Sequence, residues 1–231
     1  MRYKNIFLDF DDTIYDTRGN ADIALNELYQ HFSLSEYFES YDIFQIRYWS
    51  ANSELWAKYS HGEIKKDELI VERFLRPLRS VGIDSAEFAL KLSDWFLECT
   101  SSKSKLIDGA LPLLDYLKGK YRLHILSNGF TEVQYKKLKN SGVLEYFDSI
   151  VLSEDAGANK PSSLFFDYAM EKSGARLDDC IMIGDNIDTD IMGAKNYSIP
   201  QIYFNPKSLP YEKEMEPTFM VGSLLEIQKI L

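Results

Sequence analysis

Short apolar runs, interrupted only by Asp9 and His124, punctuate the chain at residues 6–10, 123–126, 150–152, 181–183 and 202–204. They do not alternate with polar residues, so they predict strands covered on both faces, as in a parallel sheet. Between them the spacing turns helical. Residues 111–117 follow Asp108-Gly109, with Pro112 where an early helical turn tolerates it. Thr131 is the expected N-cap for a helix over 132–140, and Gly142 its stop. Pro161 opens a helix over 162–172 that Gly174 closes. Strands and helices alternating in this way predict an α/β fold.

Residues 16–99 break the alternation. Ile23, Leu25, Leu28, Tyr29 and Phe32, then Phe44, Tyr48, Leu55, Trp56 and Tyr59, recur at helical spacing. Leu69, Phe74, Leu75, Leu78, Phe88, Leu92 and Phe96 continue it, with no convincing strand. The pattern predicts an all-helical insertion between the first strand and the next strand–helix unit. It begins directly after an acidic motif, so we expect it to cap an active site. Residues 1–15 and 100–231 are then the core, and 16–99 the cap.

Composition narrows the classes. The 231 residues are 45% hydrophobic, which supports a real core and argues against disorder. A net charge of −10 disfavours nucleic-acid polymers and anionic membranes as partners. An anionic substrate therefore needs local compensation from a metal, a lysine or backbone amides. The two cysteines, Cys99 and Cys180, lack metal-ligand spacing and read as reduced, buried thiols of a cytoplasmic protein. No signal peptide or run of transmembrane length is expected. His31, His61 and His124 are scattered, with no companion that suggests catalysis.

The first apolar run ends in acid, Asp9-Phe10-Asp11-Asp12-Thr13. On a strand, Asp9 and Asp11 would point to one side, and two like charges there call for compensation by a divalent cation. Asp12 alone reads as a turn residue. Ligands of open parallel sheets sit outside the carboxyl ends of the strands. Those ends read Asp9-Phe10-Asp11, Ser127-Asn128-Gly129, Ser153-Glu154-Asp155 with Lys160 following, and Gly184-Asp185-Asn186 with Asp188 and Asp190 behind. Each fragment alone is commonplace. Together they place carboxylates, a hydroxyl, amides and one cation on a single edge, the groups phosphoryl transfer requires. One carboxylate can attack phosphorus, and a second can move the proton. Carboxylates from separate strands can bind Mg²⁺, and the remaining groups can neutralise phosphoryl oxygens.

On these residues the chain resembles the haloacid dehalogenase (HAD) superfamily phosphatases over its whole length. The D-x-D-x-T segment at Asp9, Asp11 and Thr13, then Ser127, Lys160-Pro161, and Gly184-Asp185 with Asp190, stand in the family's order. The resemblance implies a Rossmann-like parallel sheet flanked by helices, with an inserted helical cap of the C1 type. It implies Asp9 as nucleophile and Asp11 as general acid and base. Ser127 and Lys160 would bind the transferring phosphoryl group, with Asn128 and Gly129 lining its site and Thr13 orienting the first loop. Mg²⁺ would be bound by Asp9, the Asp11 backbone carbonyl and Asp185. Asp190 would stand one layer behind, orienting Lys160 or a metal-bound water.

Asn128-Gly129-Phe130-Thr131, residues 142–148 and residues 165–169 are similar to the YjjG-type pyrimidine 5′-nucleotidase subgroup. Asn159 before Lys160, and Ser162-Ser163 after Pro161, depart from common superfamily choices without touching the reacting groups. The implied activity is Mg²⁺-dependent hydrolysis of a small phosphomonoester, a pyrimidine nucleoside monophosphate. A phosphatase or phosphomutase for another metabolite, such as a sugar phosphate, uses the same groups. Haloacid dehalogenation would leave Asp11 and Asp185 without a task. A non-catalytic phosphoacceptor module would lack the helical insertion. Trp49, Asn52, Trp56 and Tyr59 are candidates for contacting a base, with packing of the cap's own core as the competing role.

Overall fold

The structure, a computed structural model, describes residues 2–231. The chain divides into two compact units, one of Met1–Thr17 with Ser104–Leu231 and one of Arg18–Lys103. Strand β1 (Asn5–Leu8) belongs to the larger unit. The chain then passes through α1 (Thr17–His31), α2 (Tyr41–Ser60), α3 (Lys66–Arg79) and α4 (Ala86–Ser101). Ser40 and Ser85 accept from the N–H groups of Ile43 and Phe88 at 3.3 and 3.2 Å, which caps α2 and α4. Leu25, Leu28, Phe44, Tyr48, Phe74, Leu78, Leu92 and Phe96 form the core of this helical unit. Of the residues considered for base contact, Asn52 and Tyr59 are buried. Trp49 donates from Nε1 to Asp22 at 2.7 Å, and the Arg18 guanidinium lies 3.7 Å from its ring centroid. Cys99 is only half-buried, with Sγ 3.0 Å from the Glu27 carboxylate, whereas Cys180 is buried as expected.

The larger unit continues with α5 (Ala110–Leu117), β2 (Arg122–Ser127), α6 (Thr131–Asn140), β3 (Ser149–Leu152) and α7 (Ser153–Ala156). It ends with α8 (Ser163–Ser173), β4 (Cys180–Gly184), α9 (Met192–Asn196), β5 (Gln201–Phe204) and β6 (Phe219–Val221). The six strands form one parallel sheet in the order β3-β2-β1-β4-β5-β6. Alternate residues of each strand enter different cores. Ile6, Leu8, Ile181 and Ile183 pack with Leu113, Leu114 and Leu117, while Phe7, Leu126 and Met182 pack with Phe165 and Phe166. Burial on both faces is why the strands read as near-continuous apolar runs.

Three local expectations need correction. Strand β1 stops at Leu8, so Phe10 lies in the loop rather than in the strand. Thr131 is the first residue of α6 rather than its cap, and its N–H donates 2.7 Å to the Glu154 carboxylate, which supplies the missing acceptor from another loop. A sixth strand, β6, joins the five expected ones: Phe219-Met220-Val221 is apolar but lies at the sheet edge, with Met220 53% exposed.

His124 is buried in β2 between Ser149 Oγ (2.8 Å from Nδ1) and Asn5 Oδ1 (3.1 Å from Nε2). Burial, aided by Arg122, pushes its pKa down from 6.5 to about 4. The unfolded chain therefore takes up a proton between those values that the native protein refuses. This contribution to stability is complete above pH 6.5 and is lost as pH falls towards 4. We expect the unfolding free energy from urea titration to fall across that window, by about 3 kcal/mol from this group. His124→Gln should flatten that part of the profile.

Candidate active site

The strand order reverses between β1 and β4, and the crevice at such a switch point opens at the strands' carboxyl ends. Asp9 follows β1 there, with its N–H donating 2.9 Å to the Ile183 carbonyl of β4. The chain then folds into a tight turn. Ile14 and Tyr15 both donate to the Phe10 carbonyl, at 3.0 and 2.9 Å. Asp12 takes a left-handed conformation at φ 60°, which Asp tolerates better than most residues. Because β1 has already ended, Asp9 and Asp11 do not behave as a strand pair. Their carboxylates go to different lysines.

Asp9 meets Lys160, whose Nζ also lies 2.7 Å from Asp190 and 2.6 Å from the Leu126 carbonyl. The Asp9 contact is 2.7 Å, and Lys160 is 1% exposed. Asn128 positions the Lys160 backbone reciprocally, accepting from its N–H at 2.8 Å and donating to its carbonyl at 2.9 Å. A single π-helical turn, Ile187–Ile191, brings Asp190 back towards the sheet, and the Asn186 N–H donates 3.1 Å to its second oxygen. A Cβ on Gly184 would collide with the Asp190 carboxylate, so this position requires glycine. Thr13 is fully buried and donates 3.2 Å to Asp185.

Asp9, Asp185 and Asp190 each present a carboxylate oxygen within 4.8 Å of the others. Burial raises the Asp9 carboxyl to about 8, against the pull of Lys160 and with a push from Asp190 and Asp11. Burial also raises Asp185 well above the usual carboxylate range, with Asp9, Asp190 and Asp12 adding to it. Lys160 is driven the other way. Burial would lower it, but Asp190 and Asp9 keep it firmly protonated. One ammonium cannot balance three carboxylates. A divalent cation can, and hard oxygen donors suit Mg²⁺.

On the other side of the cleft, Ser127 ends β2 at 1% exposure. Its oxygen accepts from the Gly129 N–H at 3.0 Å and from Gln134 Nε2 at 2.6 Å. Both lone pairs are thus engaged, and the hydroxyl hydrogen is left to donate, which suits an anionic phosphoryl oxygen. A Cβ on Gly129 would run into the Gln134 side chain.

Three residues of the site escaped the sequence reading. Thr17 Oγ1 donates to Asp11 Oδ1 at 2.5 Å, Lys137 Nζ donates to the same oxygen at 2.6 Å, and Gln134 Nε2 donates to Oδ2. Burial works to raise the Asp11 carboxyl, but Lys137, Thr17 and Gln134 together hold it below the usual value. Gln134 and Lys137 are three apart on α6, and both are buried. They share the buried face with Val133 and Leu138, but polar side chains there carry no apolar signal and no motif marks them. The structure brings together Asp9, Thr13, Ser127, Asn128, Gly129, Lys160, Asp185 and Asp190, and Asp11 joins them through Gln134.

Known proteins are similar to this chain over nearly its whole length. The HAD-hydrolase YfnB of Bacillus subtilis is 31% identical over 233 residues, covering 100% of this chain and 96% of that protein. A crystal structure of YfnB bound to magnesium superposes with a TM-score of 0.89, at 29% identity, covering 100% of this chain and 99% of that one. The pyrimidine 5′-nucleotidase YjjG of Escherichia coli is 28% identical, covering 100% of this chain and 99% of that protein. The pyrimidine 5′-nucleotidase PynA of Streptococcus pneumoniae is 29% identical, covering 98% and 94%. The family model for haloacid dehalogenase-like hydrolases matches residues 3–197, from before β1 to the end of α9, and the chain belongs to that family.

Proposed function

We propose that this enzyme is a Mg²⁺-dependent phosphomonoesterase that works through a phosphorylated Asp9 and acts on pyrimidine nucleoside 5′-monophosphates. The observation that carries the reading is Asp9 itself. It is a buried carboxylate at the switch point, 2.7 Å from Lys160 and clustered with Asp185 and Asp190. The Asp9 oxygen attacks phosphorus and the ester oxygen leaves with a proton from Asp11, which must first take up that proton against the pull of Lys137, Thr17 and Gln134. Water then attacks the phosphoryl group, gives its proton to Asp11, and returns the bonding pair to Asp9. Lys160 and the Ser127 hydroxyl steady the phosphoryl oxygens, with Asn128 and Gly129 shaping the loop. Asp9, the Asp11 carbonyl and Asp185 are the assigned Mg²⁺ ligands, with Asp190 orienting Lys160. When bound, Mg²⁺ neutralises charge on the transferring group and keeps the buried carboxylates ionised. The names of YjjG and PynA support the pyrimidine nucleotide assignment. We assign substrate selection to the helical unit, residues 18–103, because the core groups address phosphate alone.

Among the described residues no helix is long and apolar enough to cross a membrane. Phosphate release across a panel of nucleoside monophosphates and sugar phosphates tests the substrate. Pyrimidine 5′-monophosphates should lead it, and uniformly poor nucleotide rates would reject the assignment. EDTA should abolish activity and Mg²⁺ restore it. Full turnover in EDTA would remove the metal from the mechanism.

A further inference from the structure

We infer that Gln134 and Lys137 are positioning residues for the water-activating step, orienting Asp11 for hydrolysis of the phosphorylated Asp9. The inference rests on the phosphatase reading and extends it to residues that no motif marks. Both come from one turn of α6. Lys137 Nζ is 2.6 Å from Asp11 Oδ1, and Gln134 Nε2 donates to Oδ2, so each carboxylate oxygen is fixed separately. Thr17 adds a third donor at 2.5 Å. A carboxylate clamped at both oxygens cannot rotate freely about its terminal torsion. The attacking water therefore meets a base in one orientation.

The same amide couples that base to the substrate. Gln134 Nε2 has two hydrogens, and it bonds both Asp11 and the Ser127 oxygen, the latter at 2.6 Å. The distance between the proton acceptor and the hydroxyl that would bond a phosphoryl oxygen is thus set by one planar side chain. Gly129 makes room for it, since a Cβ there would overlap Gln134.

Stability alone does not account for these residues. Gln134 is 1% exposed, and its Oε1 is buried with no hydrogen-bond partner among the described residues. An orphaned buried acceptor costs about 1–3 kcal/mol. Lys137 is 6% exposed, and burying an ammonium is unfavourable unless it is paired. An apolar residue at 134 would avoid the orphaned acceptor, and Lys137 is held at its buried position by its pairing with Asp11. What the polar pair supplies is the placement of Asp11.

In the step concerned, the water oxygen bonds to phosphorus and the bond from phosphorus to Asp9 breaks. The electron pair returns to the Asp9 carboxylate, and a water proton passes to Asp11. Formation of the phosphorylated Asp9 from 4-nitrophenyl phosphate needs little help from Asp11, because nitrophenolate leaves without a proton. The two halves therefore separate in a rapid-mixing experiment with the Mg²⁺-loaded enzyme. Lys137→Met and Gln134→Leu should each release a burst of nitrophenolate, followed by steady turnover slowed by about 10²-fold. Lys137→Arg, which retains a donor, should recover part of the steady rate. Burst amplitude counts working sites, so a poorly folded fraction lowers the amplitude without creating the biphasic trace. Steady rates equal to those of the parent, or burst and steady phases slowed alike, would overturn the inference. A parent enzyme that releases no nitrophenolate would instead reject the phosphatase reading, and the inference with it.

Discussion

Asp9→Asn should abolish turnover, by about 10⁴-fold or more, while the fold is retained. The amide has nearly the size of the carboxylate, so the core around it needs no rearrangement. It keeps a carbonyl oxygen that can accept from Lys160, now 2.7 Å from the carboxylate. It lacks the nucleophilic anion, so phosphorus is not attacked. Charge argues that the variant will be no less stable than the parent in the absence of metal. Burial raises the Asp9 carboxyl to about 8, which means the site resists its ionisation. An uncharged amide removes that cost and relieves Asp185, whose own pKa is raised in part by Asp9. Phosphate release and urea unfolding in EDTA measure the two halves of this prediction. Substantial turnover in Asp9→Asn would reject Asp9 as nucleophile. Global unfolding would show that the carboxylate is needed structurally.

The contrast between Asp9 and Asp11 explains what the sequence could and could not reveal. Residue order and type were enough for five of the strands, because a strand buried on both faces is apolar at most positions, with hydrogen-bonded exceptions such as His124. They singled out Ser127, Lys160 and Asp185 as candidates, because ligands of a parallel sheet collect at known strand ends. Helical spacing was enough for the buried stripe of the helical unit, including Phe44, Tyr48, Phe74 and Phe96. At α6 residue type conceals the inward face, where Val133 and Leu138 flank Gln134 and Lys137. Their burial depends on Asp11, 123 and 126 positions away in sequence, and nothing local announces that pairing. The cap of α6 failed for the same reason, since its acceptor is Glu154 from beyond β3. The edge strand β6 was missed although Phe219-Met220-Val221 is apolar; it is only three residues long, with one of them, Val221, buried. Long-range polar contacts and edge strands leave weak marks on local pattern, and active sites are rich in the former.

Lys160→Met should destabilise the enzyme by about 3–5 kcal/mol in EDTA as well as inactivate it. Lys160 is the only cation bonded to either Asp9 or Asp190 among the ion pairs of the described residues. Removing it leaves three clustered carboxylates and an unanswered Leu126 carbonyl. The destabilisation has a specific electrostatic origin, so it should be partly reversed by deleting one of the charges. Asp190→Asn does that without changing size, and its carbonyl oxygen can still accept from the Asn186 N–H. In the double variant the buried cluster returns to the net charge it had in the parent. We therefore expect a coupling of about 1–3 kcal/mol in a double-mutant cycle, read from urea unfolding. Activity should not follow stability. The double variant regains folding but still lacks the ammonium that steadies the phosphoryl oxygens, so its turnover should stay near that of Lys160→Met. Mg²⁺ should stabilise Lys160→Met more than the parent, because it answers a larger uncompensated charge. Additive effects of the two substitutions would mean that Lys160 supports the fold by packing its chain rather than by its charge. Recovery of turnover together with stability would mean that Lys160 acts only by keeping Asp9 and Asp190 apart, with no direct part in phosphoryl transfer.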